Sequence, residues 1–485
     1  MSLVDLDAVS LSKKIASREV SSSQVVKTYI DQLKSINPTL NCLVEDRFDK
    51  ALEEAKLADY TLATKKAEGR LFGVPISVKE CFHVEGMYTT GGLSYRTTHR
   101  EKQDAHVVKR LKDEGAIILG KSNTPQLCFC QETDNKHYGR TNNPWDITRT
   151  AGGSSGGEAS LIAAGGAAVG IGSDIGGSIR IPAHFNGVIG FKSGNRQVSH
   201  EGTFPFVHIR EQERMLGIGA ISKSVRDARL INQIISDERS ETSSLDEFKL
   251  VFPTPHHRIP INRETFQLLS SIRDTFTEEI DTEQNNPPFF NEAALLWQQI
   301  MSIDGGASLA KLMSEDGSAV PIAEYMKEKF FKTSSVHSYL SWALIGAKLF
   351  KPNRKQTDNI IMMITRGEDL IQEYLDRRIL VLPVYHTPAP LHGELYQEIF
   401  SIRRTFLNYM PYVAYANVWG LPSLVVPIGT SKEEGLPIGV QLVSRNGNEE
   451  ALFQMGEKLE EKFGGYRRCD AFDQHLNEEA EAELV

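Results

Sequence analysis

Cysteine is scarce in this 485-residue chain: five residues, Cys42, Cys81, Cys128, Cys130 and Cys469, an odd number scattered over its length. That excludes a disulfide framework and leaves buried free thiols in a reducing cytoplasm as the expectation. Cys128 and Cys130 form C-x-C, but no matching His or Cys pair stands at metal-ligand spacing, so no metal is expected. Long apolar runs are also missing. The least polar stretch, Ala159–Ile171, is too short and too glycine-rich to span a bilayer. The first residues carry neither a basic region nor an apolar one, so no signal peptide is expected. Runs of Lys and Arg are absent and the net charge is −9, which disfavours a nucleic-acid surface. There is no low-complexity tract and no internal repeat.

What remains is a folded, soluble composition, 40% apolar and 24% charged. The length exceeds the usual single-core limit, so the chain is either two domains or one large α/β body with insertions. Residues 1–69 read as helices: Val25, Val26, Tyr29, Ile30 and Leu33 recur at helical spacing behind the candidate cap Ser21–Ser23, and Ala51–Ala58 gives a second helix. Leu71–Val78, an apolar run containing Gly and Pro that ends at Lys79, is a buried-strand signal. Ala105–Leu111 then reads as a helix and Ala116–Leu119 as a strand, and this alternation predicts an α/β fold on a mixed sheet covered by helices. Thr133–Thr150 is loop-like. Val188–Phe191, Leu216–Ile221, Ile379–Leu382, Leu424–Pro427 and Ile438–Val443 read as further strands. The core is therefore expected at 70–234 and 376–470. Between them, 235–375 is polar, largely helical and broken by Pro253, Pro255, Pro260 and Pro287-Pro288, which reads as an insertion or cap. A helix from Glu449 and an acidic tail, 471–485, close the chain.

The chemistry is expected in the stretch from Ala151 to Lys192, which holds 12 of the 38 glycines in 42 residues and only four charges: Glu158, Asp174, Arg180 and Lys192. Glycine at that density weakens ordinary helix or strand, and its use is close approach of backbone with N–H groups pointing outward. Serines sit in both glycine clusters, Ser154 and Ser155 in GGSSGG and Ser178 in DIGGS. Ser178 reads either as part of a tight turn or as a nucleophile beneath an oxyanion hole built from the N–H groups of Ile175, Gly176, Gly177 and Ser178. Lys79 reads either as a surface lysine whose stem lies on the core or as a buried general base, since a buried amine must be paired or neutral. Gly152–Gly156 formally fits the G-x-S-x-G elbow, but Asp146–Thr150 before it is no apolar strand. The phosphate-loop pattern lacks its Gly-Lys-Ser/Thr, and the dinucleotide pattern is one residue off with no acidic partner, so no cofactor is expected.

The run from Gly152 to Lys192 resembles the signature of the amidase signature family along nearly its whole length. The flanks agree: LFGVPISVKE, DAHVVKRLKDEGAIILGKSNTPQL, TDNKHYGRTNNPWD, ANVWGLPSLVVPIG and GLPIGVQLVS. The similarity covers about residues 5–230 and 375–465. It implies the family's α/β fold and a Ser–Ser–Lys relay: Lys79 from V-K-E, Ser154 behind a cis peptide bond, and Ser178 as the nucleophile that forms an acyl-enzyme. Two positions depart from the family: Asn186 stands where Cys is common and Lys192-Ser193-Gly194 where K-P-T is common, both expected near the substrate channel. TDNKHYGRTNN and Phe463–Tyr466 look closer to the fatty-acid amide hydrolase 2-like branch.

The resulting expectation is a cytoplasmic amidase acting on a small-molecule amide, with a homodimer admitted. Phe289, Phe290, Leu295, Leu296, Trp297 and the Tyr339–Phe350 run are expected to line a hydrophobic channel. The alternatives are the glutamine-hydrolysing A subunit of a tRNA-dependent amidotransferase, and a catalytically silent binding or scaffold protein.

Overall fold

Short runs rich in Val, Ile and Leu cannot bury both faces alone, and here they do so by pairing into one sheet between layers of helix. The computed structural model describes residues 2–238, 240–241, 244–254, 261–400 and 410–473. Pro255, Pro260 and most of the expected acidic tail lie outside them. Among the described residues eleven strands form the sheet. From one edge, the order is Leu43–Asp46, Ile117–Ser122, Pro75–Lys79, Val169–Asp174, Gly217–Ser222 and Ile189–Lys192. It continues through Ser423–Thr430, Pro437–Val443, Arg378–Pro383, Lys249–Phe252 and Thr282–Gln284.

The sheet is mixed. Pro75–Lys79 runs parallel to both its neighbours, whereas Val169–Asp174 is antiparallel to Gly217–Ser222. The two family-like halves of the chain join where Ile189–Lys192 pairs antiparallel with Ser423–Thr430. The Ser22–Leu40 helix starts as its sequence requires, with the Ser21 side chain accepting the Gln24 N–H, and it buries Val25, Val26, Tyr29, Ile30 and Leu33.

Two stretches differ from their sequence reading. The 235–375 stretch is mostly helical but also extends the sheet, because Leu250, Val251 and Phe252 are buried beside Arg378–Pro383 and recruit Thr282–Gln284 as a parallel edge strand. Thr133–Thr150 contains a small ribbon, Asn142–Asn143 against Asp146–Thr150, whose polar residues carry no strand pattern of their own.

The Gly156–Ala163 helix is buried along its whole length. It reaches that depth because Gly157 has no side chain: a Cβ there would land on the backbone of Asn123. Gly346, in the Ser338–Leu349 helix, meets nothing within 4 Å. Gly157→Ala is therefore expected to lose about 1–3 kcal/mol through overpacking, while Gly346→Ala should gain up to ~1 kcal/mol of helix propensity. Denaturant unfolding of both variants checks this; a Gly157→Ala midpoint equal to wild type would contradict the close approach.

Candidate active site

Pro75–Lys79 and Val169–Asp174 are parallel neighbours, so both end at the same edge of the sheet, where open α/β folds commonly bind ligands. Lys79 ends the first strand and is fully buried, which removes its surface reading. Its Nζ donates to Ser154 Oγ at 2.6 Å, to Ser173 Oγ at 3.0 Å and to the Ser173 carbonyl at 3.5 Å. The Gly153–Ser154 peptide bond is cis. The Ser154 carbonyl accepts Thr124 Oγ1 at 2.9 Å, and Ser155 N donates to the Ser178 carbonyl at 3.1 Å, so the two serine clusters are fastened together.

Strand alternation puts Ser77 on the same face as Lys79. There the Ser77 and Ser122 hydroxyls donate to the buried carboxylate of Glu158. Burial raises the Glu158 acid to about 7, against the pull of those two hydroxyls.

Below the second cluster lies Asp174. Its carboxylate accepts the N–H groups of Gly177 (2.8 Å) and Ile179 (3.1 Å), Arg180 Nε and Nη2 (both 3.0 Å) and Asn417 Nδ2 (2.8 Å). Burial alone would raise its pKa, but the Arg180 charge and hydrogen bonds outweigh that and hold it well below the usual carboxylate range. One of the four expected donors is thereby corrected: the Gly177 N–H belongs to Asp174 and does not face the site. Among the described residues the N–H groups of Ile175, Gly176 and Ser178 have no protein acceptor. The carbonyls explain their direction, since a trans peptide sets C=O and N–H on opposite sides. Trp297 Nε1 holds the Ile175 carbonyl at 2.7 Å, and Ile181 N holds that of Gly177 at 2.8 Å, so the Gly176 and Ser178 N–H groups point the other way. Gly177, at φ +94°, takes the left-handed step that this path needs.

Two cavities meet at Ser178. Both are walled by Cys128, Phe129, Ile175 and Met301; one runs toward Trp297, Trp342 and Phe350, the other toward Ser154, Phe204 and His208. Ser154 and Ser178 thus face one space, although no hydrogen bond links their hydroxyls here. No Asp, Glu, Lys or Arg lines either cavity among the described residues.

Of the expected apolar wall, Trp297 and five residues of the Tyr339–Phe350 run are in place. Phe289 and Phe290 instead pack on Trp419, Tyr412 and Tyr415, Leu296 is buried in that same cluster, and Leu295 is 47% exposed. The two departures from the family pattern also lie elsewhere than expected, outside both cavity walls. Asn186 Nδ2 donates to the Ala151 and Pro182 carbonyls, and Lys192 Nζ to those of Ser193 and Leu421; burial lowers the Lys192 amine to about 7.

Sequence reading missed Ser173, Cys128 and Gln131 as parts of the site. Ser173 precedes Asp174 at the strand end and could have been found as the inward neighbour of the DIGGS turn. Cys128 is half-buried, with its Sγ 3.3 Å from Thr124 Oγ1, and the neighbouring Cys81 thiol lowers its pKa against the upward push of burial. Gln131, whose Nε2 holds the Gly176 carbonyl at 3.1 Å, carries no local signal.

A buried lysine on a serine, a second serine in a turn of free N–H groups and an apolar approach are thus brought together in one place. The chain belongs to the amidase family, whose model matches residues 24–453. It is an amide-hydrolysing enzyme. It is 33% identical to fatty-acid amide hydrolase 2-B of Danio rerio, over 96% of this chain and 90% of that protein. It is 27% identical to the A subunit of glutamyl-tRNA(Gln) amidotransferase from Clostridium kluyveri, over 95% of this chain and 96% of that one. A solved structure of fatty acid amide hydrolase superposes with a TM-score of 0.79 at 20% identity, covering 96% of this chain and 86% of that chain, and so shares the fold. Among the described residues no helix is long and apolar enough to cross a membrane.

The Glu158 acid yields a pH signature. Its folded pKa of about 7 lies above the ordinary 4.5, so the folded state holds a proton that the unfolded state releases. Stability from this group is full below pH 4.5 and falls as pH rises toward 7. Glu158→Gln removes the titration. The stability difference, wild type minus variant, should therefore shrink between pH 5 and pH 8, as read by urea unfolding. A difference independent of pH would contradict the assignment.

Proposed function

We propose that this enzyme hydrolyses a carboxylic amide bearing an apolar chain, using Ser178 as nucleophile, Ser154 as relay and Lys79 as base. The observation that carries the reading is the Lys79–Ser154 contact, 2.6 Å, opening onto the space shared with Ser178. In this relay Lys79 accepts the Ser154 proton, Ser154 accepts that of Ser178, and Ser178 Oγ bonds to the amide carbon. The developing oxyanion meets the N–H groups of Ile175, Gly176 and Ser178, donors that need no reorganisation. As the tetrahedral intermediate collapses, the C–N bond breaks and the relay returns the proton to the leaving nitrogen. Water then adds to the acyl-enzyme by the same route, giving the acid and free Ser178. The 235–375 insertion supplies one cavity wall through Trp297, Trp342 and Phe350. The same reading takes the enzyme as a stand-alone cytoplasmic hydrolase.

The second reading, the glutamine-hydrolysing component of an amidotransferase, draws on the Clostridium kluyveri relative. Against it stand the cavity walls: the charged ends of free glutamine would need paired partners, and neither wall has Asp, Glu, Lys or Arg among the described residues.

Two measurements follow from this mechanism. A fluorophosphonate probe with peptide mapping should label Ser178, and Lys79→Ala should abolish that labelling at neutral pH while the fold survives; label on Ser154 or Ser155 would refute the roles. Each methylene buried in an apolar cavity adds about 0.8 kcal/mol, roughly fourfold in affinity. kcat/KM for hexanoyl, decanoyl and longer anilides should therefore climb and then level, with glutamine poor. A flat series, or glutamine as the best substrate, would favour the amidotransferase.

A further inference from the structure

The relay and the donor turn come from the family-like part of the chain, yet one contact on the turn comes from the insertion. Trp297 lies on the Ala293–Met301 helix, and its indole Nε1 donates to the Ile175 carbonyl at 2.7 Å. The same ring lies against Gly176: a Cβ on Gly176 would stand 2.7 Å from Trp297 Cζ2 and 3.0 Å from Cε2. The indole therefore grips one peptide unit, Ile175–Gly176, by its carbonyl and by the bare Cα beyond it. The N–H of that unit is the Gly176 donor.

The other peptides of the turn are fixed differently. The Gly176–Gly177 unit is held at both ends, by Gln131 Nε2 on its carbonyl and Asp174 on its N–H. The Gly177 carbonyl is committed to Ile181 N in the first turn of the following helix. Of these units, the Ile175–Gly176 one is held by a side chain of the 235–375 insertion, Trp297.

We infer that Trp297 is a positioning residue for the hydrolysis: it aims the Gly176 N–H at the oxyanion by holding the Ile175 carbonyl on the opposite side of the peptide. This rests on the reading of Ser178 as nucleophile. Trp297 touches the donor's own peptide rather than the reacting atoms. A free Ile175–Gly176 unit would rotate and present its carbonyl lone pairs to the developing negative charge. The insertion thereby has two roles, since Trp297 also walls the cavity that receives the substrate chain.

The test separates aiming from cavity shape. Trp297→Phe keeps a ring over Gly176 and loses the N–H. It should lower kcat by ~10- to 100-fold, the scale of a misplacement near 1 Å, with KM changed less than threefold. Affinity for an alkyl trifluoromethyl ketone, which adds Ser178 Oγ to its carbonyl and leaves an oxyanion, should fall by the same factor as kcat. Affinity for the matching secondary alcohol, which forms no adduct, should hold. An unchanged kcat, or equal losses for both ligands, would overturn the inference. A second measurement uses the wild-type chain and covers a Phe variant that fails to fold. In a crystal structure of the ketone adduct, the adduct oxygen should lie about 2.7–3.1 Å from Gly176 N with Trp297 Nε1 still on the Ile175 carbonyl. An oxygen out of reach of Gly176, or an indole swung away, would overturn it. Failure of the underlying reading is distinct: the wild-type enzyme would then take no fluorophosphonate on Ser178.

Discussion

The buried carboxylate of Asp174 is the point on which the site depends. A buried carboxylate must be fully paired, and this one is met by the backbone N–H groups of Gly177, Ile179 and Arg180, by Nε and Nη2 of Arg180 and by the Asn417 amide. Arg180, in turn, has no access to water and spends its remaining donors on the Val413 carbonyl, Gln441 Oε1 and Asn417 Oδ1. The turn carrying Ser178 is thus shaped from below by an ion pair whose outer contacts lie more than 230 residues away in sequence. Removing one member of such a pair leaves an unmatched buried charge, a loss of about 3–5 kcal/mol.

Around this anchor the neighbouring groups divide the work by polarity. Lys79, Ser154 and Ser173 concentrate the hydrogen-bonding capacity on one side of Ser178. The space on the other side is walled by Phe129, Met301, Trp297 and Trp342. A low-polarity approach strengthens the few dipoles left inside it, because its walls carry no Asp, Glu, Lys or Arg among the described residues to screen them. The same absence of charge narrows what can enter to groups that need no ionic partner.

Much of this was legible in the residues. The core strands follow short apolar runs, and the predicted Ile438–Val443 and Leu424–Pro427 differ from the observed Pro437–Val443 and Ser423–Thr430 by a few residues at the ends. Thr282–Gln284 could not be read, because it has no apolar residue and owes its strand form entirely to Leu250–Phe252 beside it. In the candidate site, Lys79, Ser154 and Ser178 were expected from the family resemblance, and the structure brings Lys79 onto Ser154 beside the space that Ser178 lines. The donor count was not legible, since only the return of the Asp174 side chain onto Gly177 reveals that one N–H is already taken. Gln131 and Trp297 escaped for a related reason: both act on carbonyls of the turn through tertiary contact, and neither spacing nor composition encodes which carbonyl a distant amide or indole will reach. Trp297 was noticed only as apolar surface.

The pairing of Ile189–Lys192 with Ser423–Thr430 has a consequence for how the protein is made. A ribosome delivers the signature turn and Arg180 long before it delivers Val413, Asn417 and Gln441. Until those arrive, Arg180 has no buried acceptors except Asp174, and the sheet ends at an open strand edge. Closing so long a loop carries an entropic cost that is recovered only when the last strands dock. Partly made chains therefore present an unpaired edge and an unfinished charge cluster, the features that invite association with other chains. The charge cluster under the site is complete only after Gln441 has been made, although the site's serines are in the first half of the chain.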